Sequence, residues 1–506
     1  MEHKMALVQN FPFFCIILTL FSGSVCAIIK GRAARVINTA LISIVGLMNV
    51  CVLGFVLKTG ESYTFMMGHF PAPWGNEIRV GVLEAVMAVF FCIIMLLSML
   101  GGRKKLFDEI DIEKHNLYYV LVNLLLSSLI ALVYTNDIFT AYVLVEINTI
   151  SACGLIMIRQ NGRTIEAAVR YMIMSLLGSG LLLMGICMLY DLTGHLLMSN
   201  IKDSVVSVVA SGEYTVPMLV SIAFMCIGLA IKSALFPFHA WLPDAYGYST
   251  VSSAAILSSL VSKGYIFLLI KIVYRVVGVG IFTQSHIINV LFIFGLCGMI
   301  FGSVSAIREN DIRRMIAFSS VAQIGYIYMG IGLGTEVGME ASVFHILSHA
   351  ATKSMLFIAA IGLTDVSDGS RQFIKLTGAA YRNKIAGITF ALGALSMVGI
   401  PLFPGFVSKL LFAQAATVND KKMLPVLICL GISTILNAIY FMKTVLRIYT
   451  PIDAETEREY NTSTVSWKDQ PLYTVTCILF IGVNLVLGIG SVPIMEMIKQ
   501  GLEMFG

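Results

Sequence analysis

Seven ionisable side chains lie inside long apolar runs: Glu146 in AYVLVEINTISACG, Lys232 in GLAIKSALFPFHAWLP, Lys263 in SSLVSKGYIFLL, His345, His349 and Lys353 in FHILSHAATKSMLF, and Lys409 in GIPLFPGFVSKLLF. In a bilayer each such charge costs at least about 2.5–3.5 kcal/mol on insertion scales, so it needs a partner or a task. His345, His349 and Lys353 are spaced four and four, which stacks them on one helix face as a polar stripe roughly 12 Å tall. Desolvation disfavours a buried ammonium and a nearby carboxylate favours it. The position of Glu146 would therefore control how tightly Lys232 holds its proton, and each amine would influence the next. That chemistry is a proton relay run by electrostatics, with no covalent step. Each residue also has a plainer reading. A lysine near a helix end snorkels, a buried ion pair only fixes packing, and a lone core histidine is simply satisfied by hydrogen bonds. Glu84, in GVLEAVMAVF, is expected nearer an interface and is a weaker member of the set.

The elements that must position these groups follow from composition. Of 506 residues 58% are hydrophobic and 12% charged, with a net charge of +5 and a mean hydropathy of +0.87. Soluble domains carry about 25% charge, so a soluble enzyme and a nucleic-acid binder are excluded. At about 20 apolar residues per crossing, the chain reads as an all-α polytopic membrane protein with about fourteen runs, from 11–29 through 214–241, 251–273 and 386–415 to 472–495. The first run resembles a signal-peptide core, but Lys30, Arg32 and Arg35 follow it directly and mark it as a crossing. With the buried lysines and Lys271 set aside, 21 Lys and Arg fall on one side of these crossings and 8 on the other, Arg275 among the 8. By the positive-inside rule both termini face outward.

Pro237 and Pro243 follow Lys232, and Pro401 and Pro404 precede Lys409. Proline removes a backbone donor and breaks or kinks a helix, and broken helices at membrane depth line polar cavities, paired across repeats in transporters. The runs then divide into residues 1–110 (crossings one to three), 111–275 (a first five-helix repeat), 276–450 (a second repeat, inverted because five is odd) and 451–506 (a polar loop and the last helix). The ten cysteines all lie in apolar runs without a CxxC pair, which reads as small hydrophobes and not as zinc or iron–sulfur ligands. GLAIKS lacks the glycine loop of a nucleotide site, and GSGLLLMG lies within an apolar helix, so no cofactor site and no metal site is expected. Asn461-Thr462-Ser463 matches a glycosylation acceptor, a tripeptide common by chance.

IKSALFPFHAWLPDAY, IRENDIRRMIAFSSVAQIGYI, HILSHAATKSMLF and GIPLFPGFVSKLLF together resemble the antiporter-like membrane subunits shared by respiratory complex I, membrane-bound hydrogenases and Mrp-type Na+/H+ antiporters. The resemblance covers crossings four to thirteen. It implies that Glu146 is the glutamate of the fifth helix, Lys232 its partner on the broken seventh and Lys263 the central relay lysine of the eighth. His345, His349 and Lys353 would be the connecting stripe of the eleventh helix and Lys409 the exit residue of the broken twelfth. Some branches carry a glutamate at that exit, which argues mildly against them. The chain stops at Gly506 without the long lateral helix of the largest branch, which points to the shorter subunits, with an Mrp D-type subunit the closest match. The implied function is proton translocation, with Na+ coupling through this subunit left open, within a complex that supplies membrane partners on both flanks in a prokaryotic cell membrane. The alternatives are a proton-pumping subunit of an NADH:quinone oxidoreductase or hydrogenase, and a self-sufficient secondary cation transporter. A third possibility is a scaffold, in which the buried charges would be dispensable for transport.

Overall fold

The computed structural model describes residues 7–29, 31–70, 75–451 and 464–505. Lys4, Lys30, Arg458 and the Asn461 tripeptide lie outside the described residues. The protein is an integral membrane protein built of helices: α1 Phe11–Ile28, α2 Arg32–Thr59, α3 Val82–Gly101, α4 His115–Tyr134, α5 Ile138–Met157, α6 Gly162–Thr193, α7 Thr215–Lys232, α8 Leu242–Tyr248, α9 Val251–Val277, α10 Ile287–Arg308, α11 Ile312–Gly332, α12 Glu336–Asp365, α13 Lys384–Val398, α14 Pro404–Thr417, α15 Asp420–Ile448, α16 Pro471–Ile489 and α17 Ser491–Glu503. Among the described residues thirteen helices are long and apolar enough to cross a bilayer. The run 386–415 is not one helix but the pair α13 and α14, and the run 472–495 ends its crossing at Ile489 before the short α17. A small antiparallel hairpin, β1 Tyr63–Met66 and β2 Glu77–Val80, lies between α2 and α3.

Polar residues at the run ends set the helix starts. Asp137 accepts from Thr140 N at 2.6 Å, Asp311 from Arg313 N at 2.8 Å, and Asn383 from Ala386 N at 3.2 Å, each satisfying an orphan amide of the first turn. Small residues set the packing. A Cβ on Gly228 would lie 2.5 Å from the Gly178 carbonyl, and one on Gly295 would lie 2.5 Å from Met329 N. Backbones therefore touch between α6 and α7 and between α10 and α11, the close approach by which membrane helices associate.

The centre of the molecule is α9, buried along its whole length, and α12, buried from 341 to 364, with α11 packed against α12. α9 contains two π turns, Leu257–Val261 and Val273–Val277, rare widenings that gather at functional sites. α8 is tied down through Asp244, which pairs with Arg170 of α6 at 2.8 Å and with Arg314 of α11. Arg313 reaches the Ser249 carbonyl between α8 and α9 at 2.5 Å.

Candidate functional site: a buried line of ionisable groups

Lys232 is the last residue of α7, where the free carbonyl ends of a helix favour a cation. Its Nζ lies 3.4 Å from Glu146 Oε1 and 2.7 Å from Thr149 Oγ1 on α5, and 5.4 Å from the centre of the Tyr265 ring on α9. Ser179 of α6 donates to the same Glu146 oxygen. A Cβ at Gly178 would stand 3.0 Å from Lys232 Cγ, so the glycine makes room for the amine. Lys232 is buried, whereas the Glu146 side chain is 24% exposed. Glu146 shares the outer stripe of α5 with Phe139, Val143 and Ile150, all exposed; its carboxylate thus opens to one flank of the molecule.

Lys263 is fully buried on α9, and its amine donates to the Ser258 carbonyl within the first π turn. Two residues on, Tyr265 donates to Asn148 Oδ1 at 3.0 Å and stands 3.5 Å from Thr149 Oγ1, which places it against the Lys232 pocket. On the other side α9 meets α12 through Ser259 and Ser354, with hydroxyls 2.6 Å apart.

On α12 the rings of His345 and His349 stack 5.9 Å apart at 8°. His345 Nδ1 is 2.5 Å from Ser408 Oγ, the neighbour of Lys409. The Tyr326 ring of α11 lies 5.5 Å from the His345 ring and 5.9 Å from Lys409 Nζ. Lys409 donates to the Met397 carbonyl at 3.3 Å and the Val398 carbonyl at 2.5 Å, the C-terminal end of α13. Lys353 shares the histidine face of α12, but its amine turns to α11, where it donates to the Ile316 carbonyl at 2.8 Å and to Ser319. Among the described residues no hydrogen bond joins Lys232 to Lys263, or Lys263 to either histidine. His345 Nε2 and both ring nitrogens of His349 are buried without a hydrogen-bond partner.

The prolines sit at the two breaks. Pro237 lies between α7 and the helical turn Phe238–Trp241, and Pro243 falls in the first turn of α8. Pro401 lies between α13 and α14, and Pro404 opens α14, the helix position whose amide is unpaired anyway. Each break also holds a non-glycine residue in the left-handed region, Ala234 at φ 61° and Leu402 at φ 79°, backbone that persists only where surrounding packing enforces it.

Arg275 differs from the expectation, and Glu84 and Lys271 lie with it in the interior. Glu84, in the first turn of α3 as an interface position requires, is fully buried within the protein, and its Oε1 lies 2.5 Å from Nη2 of Arg275. Arg275 is not in an outer loop, because α9 continues through its second π turn beyond the apolar run; the guanidinium stacks 4.1 Å over the Phe505 ring. Lys271 is interior too, donating to the Val133 carbonyl at 2.9 Å and to those of Leu132 and Thr135, at the end of α4. The available signal was two opposite, otherwise unpaired charges at run ends on one side of the membrane.

The family described as "NADH:quinone oxidoreductase/Mrp antiporter, TM" matches residues 135–435, a span that includes all seven site residues. The chain belongs to this family. Among its relatives, the NADH-quinone oxidoreductase subunit N of Desulforudis audaxviator is 31% identical over 398 residues, covering 78% of this chain and 77% of that protein. The "Putative antiporter subunit mnhD2" of Staphylococcus epidermidis is 26% identical over 506 residues, covering 100% and 96%. Two solved structures share the fold of this family member. One is a chain of the membrane-bound sulfane sulfur reductase, an archaeal respiratory membrane complex, with a TM-score of 0.86 at 24% identity, covering 99% of this chain and 97% of that one. The other belongs to the Mrp complex of a Dietzia species, with a TM-score of 0.86 at 22% identity, covering 98% and 97%.

Proposed function

We propose that this chain is a proton-translocating subunit of a multisubunit Mrp-type cation/proton antiporter in a prokaryotic cell membrane, with both termini outside. Protons pass along Glu146, Lys232, Lys263, His349, His345 and Lys409, and Lys353 sets the charge beside the histidines. The observation that carries this reading is the Glu146–Lys232 pair, 3.4 Å apart at the carbonyl end of a broken helix. At an effective dielectric of about 20, unit charges at that distance attract by about 5 kcal/mol; doubling the separation halves this, a change worth roughly 60-fold in how firmly the amine holds its proton. A small displacement of Glu146 therefore controls Lys232. The gaps between Lys232, Lys263 and His349 are crossed by bridging water, which conducts between groups too far apart for direct contact.

Both ends of this line lie near the flanks. Glu146 sits on an outward apolar stripe, and Lys409 is flanked on α14 by the exposed Phe406 and Leu410. A mid-membrane carboxylate on a lipid-facing stripe is unfavourable unless covered, which supports a neighbouring membrane subunit at the α5 flank and a second one at α14. The matched breaks after Lys232 and before Lys409 support the division into repeats 111–275 and 276–450, set between residues 1–110 and 451–506.

A second reading, a proton-pumping subunit of an NADH:quinone oxidoreductase, is favoured by the 31% identity to subunit N; the match to the antiporter subunit runs from end to end of this chain. The test is the assembled complex in proteoliposomes carrying a pH-sensitive dye. A Na+ gradient should drive H+ movement, and Glu146→Gln should reduce the rate by at least about tenfold with all subunits still co-purifying. Unchanged rates in that variant would favour a scaffold, full activity of the isolated chain would favour a self-sufficient transporter, and movement driven only by NADH oxidation would favour the second reading.

A further inference from the structure

A crevice of about 330 Å³ opens where the start of α2, the end of α3, the end of α12 and the start of α16 meet. That volume lies at the lower end of the ~300–1,000 Å³ range of small-ligand sites. Its polar wall is built from Arg35, Arg103, Lys104 and Lys105, and its other wall is apolar, with Leu100 and Leu472. Two carboxylates also line it: Asp365 is paired with Lys105 at 2.6 Å, and Asp469 accepts from the Ser466 amide at 2.7 Å and keeps its charge, so four cations face two carboxylates. Among the described residues no ion pair joins Arg35, Arg103 or Lys104 to a carboxylate. The guanidinium of Arg35 lies 5.2 Å over the Phe107 ring, which orients it without neutralising it. In an adjoining cavity of about 250 Å³ two of the three arginines are paired, Arg159 with Glu109 at 3.8 Å and Arg371 with Asp311 at 3.6 Å, and the third, Arg313, donates to backbone carbonyls.

All four helix ends at the crevice lie on the side richer in Lys and Arg, which the positive-inside rule places at the inner leaflet. The crevice therefore combines three cations that have no ion pair among the described residues, at headgroup depth, with an apolar wall continuous with the exposed Val36 of α2 and Leu472 of α16. Basic pockets between helices on this side hold anionic headgroups. We propose that it binds one anionic glycerophospholipid, with the phosphodiester against Arg35, Arg103 and Lys104 and the acyl chains along α2 and α16. The bound lipid joins the N-terminal helices to α12, the helix that carries the histidines, and so links that helix to the composition of the membrane.

The full chain, purified in mild detergent and exposed to equimolar phosphatidylglycerol and phosphatidylcholine, should retain the first selectively in native mass spectrometry. Arg103→Gln with Lys104→Gln should weaken that retention on the order of 10- to 30-fold, roughly fivefold per cation. A photoreactive phosphatidylglycerol added to the unaltered protein should label residues 100–107 or 469–473, a readout independent of how the variant folds. Equal retention of both lipids, undiminished retention in the variant, or labelling elsewhere would overturn the proposal. Displacement by inorganic phosphate at matching concentration would assign the cations to a free anion instead. In the assembled complex, protein cross-links from this crevice to another subunit in place of lipid labelling would assign them to a partner chain.

Discussion

The two outer amines of the line are held in similar ways. Lys232 ends α7, and Lys409 binds the last carbonyls of α13, so each ammonium sits where helix dipoles favour a positive charge. The difference is the counter-charge, since Glu146 stands beside Lys232 and no carboxylate pairs with Lys409 among the described residues. The buried pair Glu84–Arg275 contrasts with both, being closed from solvent and capped by Phe505. Glu84→Ala strands a buried guanidinium and should destabilise the protein by about 3–5 kcal/mol, read as a lowered thermal unfolding midpoint in detergent. The double variant Glu84→Leu with Arg275→Met should recover most of that loss, because replacing a buried pair by apolar groups is close to neutral. No recovery would mean that the pair does more than balance charge.

At the scale of elements, much was legible in the sequence because charge and proline are conspicuous in apolar runs. Lys232 stands out in GLAIKSALFPF, and the prolines foretell the breaks at 233–237 and 399–403. What was hidden depends on which helix faces which. Hydropathy ends the eighth run at 273, and only a π turn that continues the helix carries Arg275 inward to Glu84. The four-residue spacing of the α12 stripe predicts one face, but not that Lys353 turns its amine to Ser319 while His345 turns to Ser408. Tyr265, beside Lys232, and Tyr326, beside both His345 and Lys409, look like ordinary core aromatics in sequence. The junction of α13 and α14 is the tightest element contact at the site. A Cβ on Gly405 would lie 1.8 Å from the Ser396 carbonyl, so Gly405→Ala must move α14 and Lys409 with it. Proton transport should fall by about tenfold or more, since misplacing a proton-transfer group by an ångström costs on the order of 100-fold. Gly431→Ala on α15, where an added methyl meets nothing within 4 Å, should leave transport unchanged and serve as the control.

At the scale of the whole molecule, the proposed orientation makes a separate claim about sidedness. Lys375 falls on the Lys/Arg-rich side and Lys421 on the other. A single cysteine at 421 in a cysteine-free background should react with an impermeant maleimide in intact cells, and one at 375 only after lysis; the reverse pattern would invert the topology.

The proposed relay depends on charge passing laterally through the buried centre, between α9 and residues 341–364 of α12. In that relay Lys263 is the proposed link between the carboxylate half and the histidine half. The most direct measurement is proton movement by the assembled complex carrying Lys263→Met, in sealed proteoliposomes, beside the unaltered complex at equal subunit content. The relay predicts a loss of at least about 100-fold with assembly intact; transport at the unaltered rate would contradict it.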